Sequence, residues 1–239
     1  MAAGLVTIGG QPATTIATMV GTDAPVRVSA PDHGYVSRGG EKLRAALERF
    51  GVDVAGRGCL DAGASTGGFT DCLLRSGAAR VITVDVGYGQ LAWPLRTDPR
   101  VRVMERTNVR DLRVDALPFS PDLVVADLSF VSLRTALPAL VALAGERPEL
   151  IVLVKPQFEA SPDVVGDGGV VRDPEMWRTV LGDVVAAVHR VGLVARGAMA
   201  SPLLGRSGNV EFLLHLGQGS SVEEIAFEAA VAEGEALIR

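Results

Sequence analysis

The chain has 239 residues, of which 48% are hydrophobic, and a formal charge of −5. This length supports one full core and a small appendage. The acidic balance excludes an overall basic surface for nucleic acid, although a local basic face remains open. The longest apolar stretches are far shorter than the roughly 20 residues that cross a bilayer. The two cysteines, Cys59 and Cys72, lie in apolar patterns, and no signal-like segment opens the sequence. We therefore expect a reduced, cytoplasmic protein.

The first predicted elements are small. Residues 1–34 are rich in Gly, Thr, Ala and Pro, and short alternating segments at Leu5–Ile8 and Val26–Val28 predict a few small strands. A helix is expected from Glu41 to Phe50, where apolar residues share one face. We place a domain boundary between residues 34 and 35, with residues 35–239 forming the main domain.

Beyond that helix, apolar β-rich runs alternate with segments whose apolar residues recur every three or four positions. The runs predict strands at Gly58–Asp61, Arg80–Asp85, Arg102–Glu105, Leu123–Asp127, Leu150–Lys155, Val194–Met199 and Glu211–Leu216. The other segments predict helices at Thr66–Ser76, Gln90–Thr97, Leu133–Ala144, Glu175–Val191 and Val222–Ile238. This alternation indicates an α/β fold of the Rossmann-like kind, with a mostly parallel seven-stranded sheet covered by helices on both faces. Trp93 and Trp177 fall in helical patterns and are predicted core residues.

Charged residues follow or end several of these strands. Parallel sheets bind ligands at the carboxyl ends of their strands. Because Asp61, Asp85, Asp127 and Lys155 all lie at that end, we expect them to share one crevice.

A glycine-rich turn, DAGASTGG, follows the first strand of this sheet. Glycines there allow the backbone to approach a ligand closely. A phosphate-binding loop would need a lysine where Phe69 stands, and a dinucleotide fingerprint would need a glycine at Ser65. S-adenosylmethionine fits better, because one strand-end carboxylate can bind its ammonium group and Asp85 can bind its ribose hydroxyls. It has no phosphate that the turn would have to hold. An ordinary glycine turn remains the alternative.

The residues predicted to hold this cofactor are the strand-end acids, the turn and one later asparagine. They are Asp61, Gly63, Ser65, Thr66, Gly67, Gly68, Asp85, Asn108 and Asp127. Asn108 follows the third strand of the main sheet, where it is placed to contact an adenine or to act only as a turn residue.

Lysine is almost absent from this sequence. Of 23 basic residues that are Lys or Arg, only Lys42 and Lys155 are lysines. Arginine does not lose its proton, so lysine is the choice where an amine must do so. At the mouth of a crevice, like charges and desolvation disfavour the charged amine, and Lys155 then serves as a general base. Two alternatives stay open, namely chance survival of two lysines and a simple ion pair of Lys155 with Asp127 or Glu159.

Several longer motifs resemble a known family. They are YVSRGGEKL, DAGASTGGFT, DVGYGQLAW, ADLSF, LVKPQFE, GGVVRD and SPLLGRSGNVEFLL, between Tyr35 and Leu214. Together they are similar to the TlyA-type ribosomal RNA 2′-O-methyltransferases, often labelled hemolysins, whose catalytic part has the FtsJ/RrmJ methyltransferase fold. The resemblance implies a Lys-Asp-Lys-Glu tetrad, which falls on Lys42, Asp127, Lys155 and Glu211.

The same resemblance implies the reaction and the partners. A methyl group would pass from S-adenosylmethionine to the ribose 2′-hydroxyl of a cytidine in 16S or 23S rRNA. Lys155 would take the proton of that hydroxyl or weaken its O–H bond, and Asp127 would orient Lys155. Lys42 and Glu211 would hold the ribose. The expected partner is ribosomal RNA or a ribosomal subunit, with neither a metal nor a membrane involved.

RNA binding is where the sequence departs from that family. Its members begin with an S4-like RNA-binding domain whose two basic helices come first, whereas residues 1–34 resemble only the later, β-rich part of that domain. Two explanations stay open, namely a true start codon that lies upstream and a real loss of part of the RNA-docking surface. For the sequence as given, weak binding to rRNA is the expectation. Four arginines are candidate phosphate contacts, each also readable as a solvated surface charge: Arg38, Arg44, Arg75 and Arg206.

Two further functions remain as alternatives. The family label suggests a membrane-active hemolysin, which the acidic final helix disfavours because anionic lipid would repel it. A non-catalytic RNA-binding protein with the same fold is the other, and matches at all four tetrad positions count against it.

Overall fold

The structure is a computed structural model that describes residues 6–13, 15, 18–28, 34–166, 168–219 and 223–239. The chain divides into two compact units, Met1–Gly34 and Tyr35–Arg239. The strands of the first unit are β1 (Val6–Ile8), β2 (Gln11–Pro12) and β3 (Val26–Val28). They form an antiparallel sheet in the order β2-β1-β3. The small β-rich N-terminal segment is thus confirmed, although Leu5 lies outside the described residues.

The second unit is built around one large sheet. Its strands are β4 (Gly58–Ala62), β5 (Arg80–Val84), β6 (Val101–Met104), β7 (Leu123–Ala126), β8 (Leu150–Val154), β9 (Val194–Ala200) and β10 (Phe212–Gly217). In space they follow the order β6-β5-β4-β7-β8-β10-β9. The first five strands in that order are parallel, whereas β10 runs antiparallel to β8 and to β9. The predicted mostly parallel seven-stranded sheet is confirmed.

Helices cover both faces of this sheet. They are α1 (Gly39–Phe50), α2 (Gly68–Arg75), α3 (Trp93–Arg96), α4 (Leu133–Leu143), α5 (Pro156–Glu159), α6 (Pro174–Arg190) and α7 (Glu223–Leu237). Side chains of a strand point alternately to opposite faces. In β8, Val152 accordingly packs with α4 and α6, while Ile151 packs with α1 and α2. None of the helices in the described part of the chain is both long and apolar enough to cross a membrane.

The register explains which residues meet at the carboxyl end of the sheet. Ala126 of β7 pairs with Val152 of β8, so the residues that follow these two strands emerge side by side. Because β10 is antiparallel, its first residue, Phe212, pairs with Val154 at the end of β8. Glu211, immediately before β10, therefore reaches the same edge as Asp127 and Lys155.

The two tryptophans differ in burial. Trp177 in α6 is fully buried, and its indole nitrogen donates a 3.0 Å hydrogen bond to the carbonyl of Val171. Trp93, at the start of α3, is 72% exposed, so its predicted core position is wrong. The reason is the length of α3, which has only four residues and buries one of them, Leu95.

Glu149 holds together the opposite end of the sheet. Its Oε2 lies 2.7 Å from a guanidinium nitrogen of Arg57, and its Oε1 lies 2.9 Å from His215 Nε2. Since an ionised carboxylate can only accept, the His215 ring nitrogen donates. The His215 hydrogen bond and the Arg57 contact outweigh burial and lower the pKa of Glu149 from 4.5 to about 2.

We expect Glu149→Gln to lower the free energy of unfolding by about 2 kcal/mol at pH 7, because two charge-assisted contacts are weakened. A carboxyl whose native pKa lies below its ordinary value stabilises the fold when ionised. This contribution is complete above pH 4.5 and is lost as the pH falls toward 2. Urea unfolding of wild type and variant across that range measures it. The matched control is Glu48→Gln, which weakens an exposed pair with Arg44. A difference that stays constant down to pH 2 would contradict this assignment.

Candidate active site

A cleft of about 940 Å³ lies at the carboxyl end of the large sheet, within the second unit. All four residues of the predicted tetrad line it: Lys42, Asp127, Lys155 and Glu211. They come from α1, from the loops after β7 and β8, and from the residue before β10. The sheet register thus brings together side chains that are up to 169 positions apart in sequence.

Lys155 contacts two side chains of the loop that follows β7 (the β7 loop, residues 127–132). Its Nζ lies 2.5 Å from Asp127 Oδ1, and it donates a 2.9 Å hydrogen bond to Ser129 Oγ. Asp127 Oδ1 has no partner with hydrogen-bond geometry among the described residues, so its contact with Lys155 is a charge–charge pair. Of the two predicted ion-pair partners, Asp127 is the one that Lys155 meets. Glu159 instead accepts from Ser132 Oγ at 2.6 Å.

Lys42 and Glu211 form the second pair of the cleft. Lys42 Nζ donates to Glu211 Oε2, and the two residues are only 9% and 3% exposed. A Cβ at Gly205 would lie 2.6 Å from Glu211 Oε1, so the glycine leaves room for this carboxylate. Buried opposite charges need each other, because removing either partner leaves an uncompensated charge.

The glycine-rich turn forms the adjoining wall of the cleft. Gly63, Ser65 and Thr66 line it, and Gly63 and Ser65 have positive φ angles of 85° and 48°. A Cβ at Gly63 would lie 2.4 Å from the carbonyl oxygen of Asp127, so only glycine lets the turn pack this close to the β7 loop. Asp85, which also lines the cleft, holds the turn by accepting a 2.7 Å hydrogen bond from the Ser65 amide.

Three of the predicted cofactor residues do not line the cleft. Asp61 is fully buried, and burial raises the pKa of its carboxyl to about 7. Its Oδ2 accepts from Thr70 Oγ1 at 2.6 Å, while its Oδ1 has no hydrogen-bond partner among the described residues. Gly67 packs against the side chain of Leu95, and Gly68 against α1. At both positions the absence of a Cβ permits close packing of the turn.

Three more of the predicted ligand-binding residues line the cleft. One is Asn108, whose Oδ1 also accepts a 3.1 Å hydrogen bond from the Arg110 amide, so that it is a turn residue as well. The other two are Arg38 and Arg206, which were predicted to contact phosphates.

Two of the predicted phosphate contacts lie away from the cleft. The Arg44 guanidinium donates to both carboxylate oxygens of Glu48, at 2.7 Å each. Arg75 Nε donates to Asp71 Oδ1 at 2.7 Å. Each pair joins residues four positions apart on one helix, so these arginines are held by their own helices.

Phe130 is a cleft residue that the sequence analysis missed. Its side chain is 92% exposed, its φ angle is +63°, and its ring centroid lies 5.3 Å from that of Phe158. A bulky residue in this left-handed region is uncommon and is often found at functional sites. The signal in the sequence was its place in ADLSF, three residues after Asp127, but hydrophobicity alone predicts burial.

Several known proteins are similar to this chain. Residues 35–218, more than half of the chain, match the family of FtsJ-like methyltransferases. The chain belongs to the FtsJ-like methyltransferase family. The TlyA 16S/23S rRNA (cytidine-2′-O)-methyltransferase of Mycobacterium tuberculosis is 54% identical over 215 residues, which cover 90% of this chain and 80% of the relative. Hemolysin A of Brachyspira hyodysenteriae is 40% identical over 182 residues, 76% of each chain.

A solved structure also resembles this FtsJ-like methyltransferase over nearly its whole length. It comes from Streptococcus thermophilus and carries a provisional hemolysin label. The two chains are 38% identical with a TM-score of 0.84, and the match covers 99% of this chain and 88% of the other. Methyltransferase and hemolysin names therefore both occur among relatives of the same fold.

In the described part of the chain, no group of three or more His, Cys, Asp or Glu could hold a metal ion.

Proposed function

We propose that this methyltransferase transfers a methyl group from S-adenosylmethionine to the ribose 2′-hydroxyl of a cytidine in ribosomal RNA. The observation that carries the proposal is the meeting of Lys155, Asp127, Lys42 and Glu211 in one cleft beside the glycine turn. The 54% identical relative is named for this reaction on 16S and 23S rRNA. Such a substrate implies work in the cytoplasm.

The chemistry of the turn suits S-adenosylmethionine. Asp85 keeps lone pairs for ligand hydroxyls after accepting from Ser65 and Gly87 amides at 2.7 Å each. Asn108 lines the same wall and offers an amide to an adenine. No lysine stands in the turn to receive a phosphate. When bound, the cofactor supplies an activated methyl group on a sulfonium. Gly63, Ser65, Thr66, Asp85 and Asn108 are the residues we assign to it.

Lys155 is the general base in this proposal. In its neutral form, the amine accepts the proton of the ribose hydroxyl, and Asp127 stabilises the ammonium that results. The 2.5 Å contact between Asp127 Oδ1 and Lys155 Nζ supports that role. Arginine would not substitute, because it keeps its proton.

Lys42 and Glu211 hold the ribose beside this amine. Both are almost completely buried and line the cleft. Their mutual pairing fixes each side chain, so an ammonium and a carboxylate are presented in fixed positions to the sugar hydroxyls. Holding reactants in an aligned geometry is a large part of what an enzyme contributes to a displacement of this kind.

The RNA contacts are the outer part of the proposal. Arg38 and Arg206 line the cleft and suit phosphates, and the exposed ring of Phe130 suits stacking on a base. Residues 1–34 are proposed as part of an S4-like RNA-binding segment joined to the domain of residues 35–239.

The test is methyl transfer to rRNA by the purified protein. Ribosomal subunits and naked rRNA are incubated with S-adenosylmethionine that carries a labelled methyl group, and the RNA is digested to nucleosides for mass spectrometry. We expect label in 2′-O-methylcytidine. Label only in a methylated base, or no label in RNA, would contradict the proposal. A parallel arm with dye-loaded anionic liposomes tests the hemolysin alternative, for which leakage is the expected result.

A further inference from the structure

The β7 loop supplies Lys155 with a hydrogen-bond partner that the tetrad does not include. Among the described residues, the only hydrogen bond from Lys155 Nζ goes to Ser129 Oγ, at 2.9 Å. Asp127 is closer, but its contact lacks hydrogen-bond geometry. The two neighbours therefore act differently, since Asp127 provides charge and Ser129 provides direction.

Direction matters for an amine that has to accept a proton. Neutral lysine has two N–H groups and one lone pair on a flexible stem, and the terminal group rotates unless a directed bond stops it. We propose that Ser129 is a positioning residue for Lys155, whose hydroxyl oxygen fixes one N–H so that the lone pair faces the cleft. This inference rests on the proposed function.

The loop that carries Ser129 is fixed at both ends. At its start, the amide of Asp127 donates a 3.0 Å hydrogen bond to the carbonyl of Ala62. At its end, Ser132 Oγ donates to Glu159 Oε2 at 2.6 Å. Glu159 is the last residue of α5, which begins directly after Lys155. The Ser129 loop is thus bonded to β4 at its start and, through Ser132 and Glu159, to the segment that carries Lys155 at its end.

Glu159 is itself well held. It is 6% exposed and also receives a hydrogen bond from the Leu133 amide at the start of α4 and one from Arg134 Nε at 3.1 Å. A carboxylate at a helix N-terminus that is also paired with an arginine is in a favourable position. The loop that carries Ser129 consequently ends on a buried carboxylate that is itself bonded to α4.

The step that this bond assists is a proton transfer. The O–H bond of the ribose hydroxyl breaks, an N–H bond forms at the Lys155 lone pair, and the ribose oxygen keeps the electron pair with which it bonds to the methyl carbon. The electron pair of the methyl–sulfur bond remains on sulfur. The new ammonium keeps its bond to Ser129 and faces the Asp127 carboxylate, so charge is balanced within the site.

Two substitutions at the same position test the role. Ser129→Ala removes the acceptor, whereas Ser129→Thr retains a hydroxyl. We expect Ser129→Ala to lower the single-turnover rate of ribose methylation about 10- to 100-fold, as a misplaced reacting group does. Ser129→Thr should recover most of the wild-type rate. The cofactor Kd, measured by calorimetry with S-adenosylhomocysteine, should be the same in all three proteins. Ser161→Ala, an exposed serine outside the cleft, is the matched control with unchanged rate.

The outcomes separate this inference from the proposed function. If wild type methylates ribose and Ser129→Ala is equally fast, the positioning role is overturned and the proposed function stands. A threonine variant as slow as the alanine variant would also overturn it, because the loss would then not depend on the hydroxyl. If wild type methylates no ribose, the proposed function fails and the role of Ser129 fails with it.

Discussion

Lys155→Arg is expected to lower the single-turnover rate of ribose methylation about 1,000-fold or more, the range that a general base contributes. Arginine retains the positive charge and with it the attraction to Asp127, which lies 2.5 Å from Lys155 Nζ. It does not accept a proton at any ordinary pH. Rates are measured with saturating cofactor and ribosomal subunits, so the result reports the transfer step.

The variant should otherwise behave as wild type. Its thermal unfolding midpoint and its Kd for S-adenosylhomocysteine are expected to be unchanged, because the charge of the site is conserved. Arg147→Lys is a suitable control, since it makes the reverse exchange at an exposed residue outside the cleft. Near wild-type methylation by Lys155→Arg would exclude Lys155 as the base, while loss of cofactor binding would show a structural defect instead.

Glu211→Gln is expected to lower the free energy of unfolding by about 3 kcal/mol and to remove methyl transfer. The neutral amide leaves the buried ammonium of Lys42 without a counter-charge, and Lys42 is only 9% exposed. Urea unfolding at pH 7 measures the loss of stability, and the methylation assay measures the loss of activity.

A double variant separates stability from function at this pair. Replacing a buried ion pair by apolar residues of similar size is often neutral, so Lys42→Met combined with Glu211→Leu should recover most of the stability. Methylation should stay absent, because no charge remains to hold the ribose. An active double variant would contradict the role of the pair, and so would a Glu211→Gln protein as stable as wild type.

The sequence predicted the fold well because the large sheet is mostly parallel. Parallel strands covered on both faces appear as apolar runs between amphipathic helices, and their carboxyl ends share one edge. Asp127 and Lys155 directly follow β7 and β8, so their meeting could be predicted from position alone. The direction of β10 could not, because a buried strand has the same pattern in either orientation. Glu211 was therefore assigned only through the family resemblance.

Asp61 shows where strand-end reasoning fails. It was expected in the crevice, but it pairs in register with Val125 and lies within β4, one residue before the strand ends. A side chain inside a sheet covered on both faces is buried, whereas Asp127 comes one residue after the last paired position of β7. A difference of one or two residues in position relative to the end of the strand thus decides whether a carboxylate is buried or faces the cleft.

The arginines and the β7 loop show two other limits. The pairs Arg44 with Glu48 and Asp71 with Arg75 are four residues apart on helices, so their mutual contact was readable from spacing. By contrast, the left-handed conformation of Phe130 and the bond from Lys155 to Ser129 arise from tertiary packing. The ADLSF motif places both residues near Asp127, but no local pattern in it signals the conformation or the bond.

The most direct measurement of the central claim is a structure of the protein with S-adenosylhomocysteine and an RNA fragment that presents the target cytidine. We predict that the ribose 2′-oxygen lies within hydrogen-bond distance of Lys155 Nζ, about 2.6–3.2 Å. Lys42 and Glu211 should contact the same sugar. A bound ribose whose 2′-oxygen lies beyond reach of Lys155, or a cytidine that enters the cleft by its base, would contradict the claim.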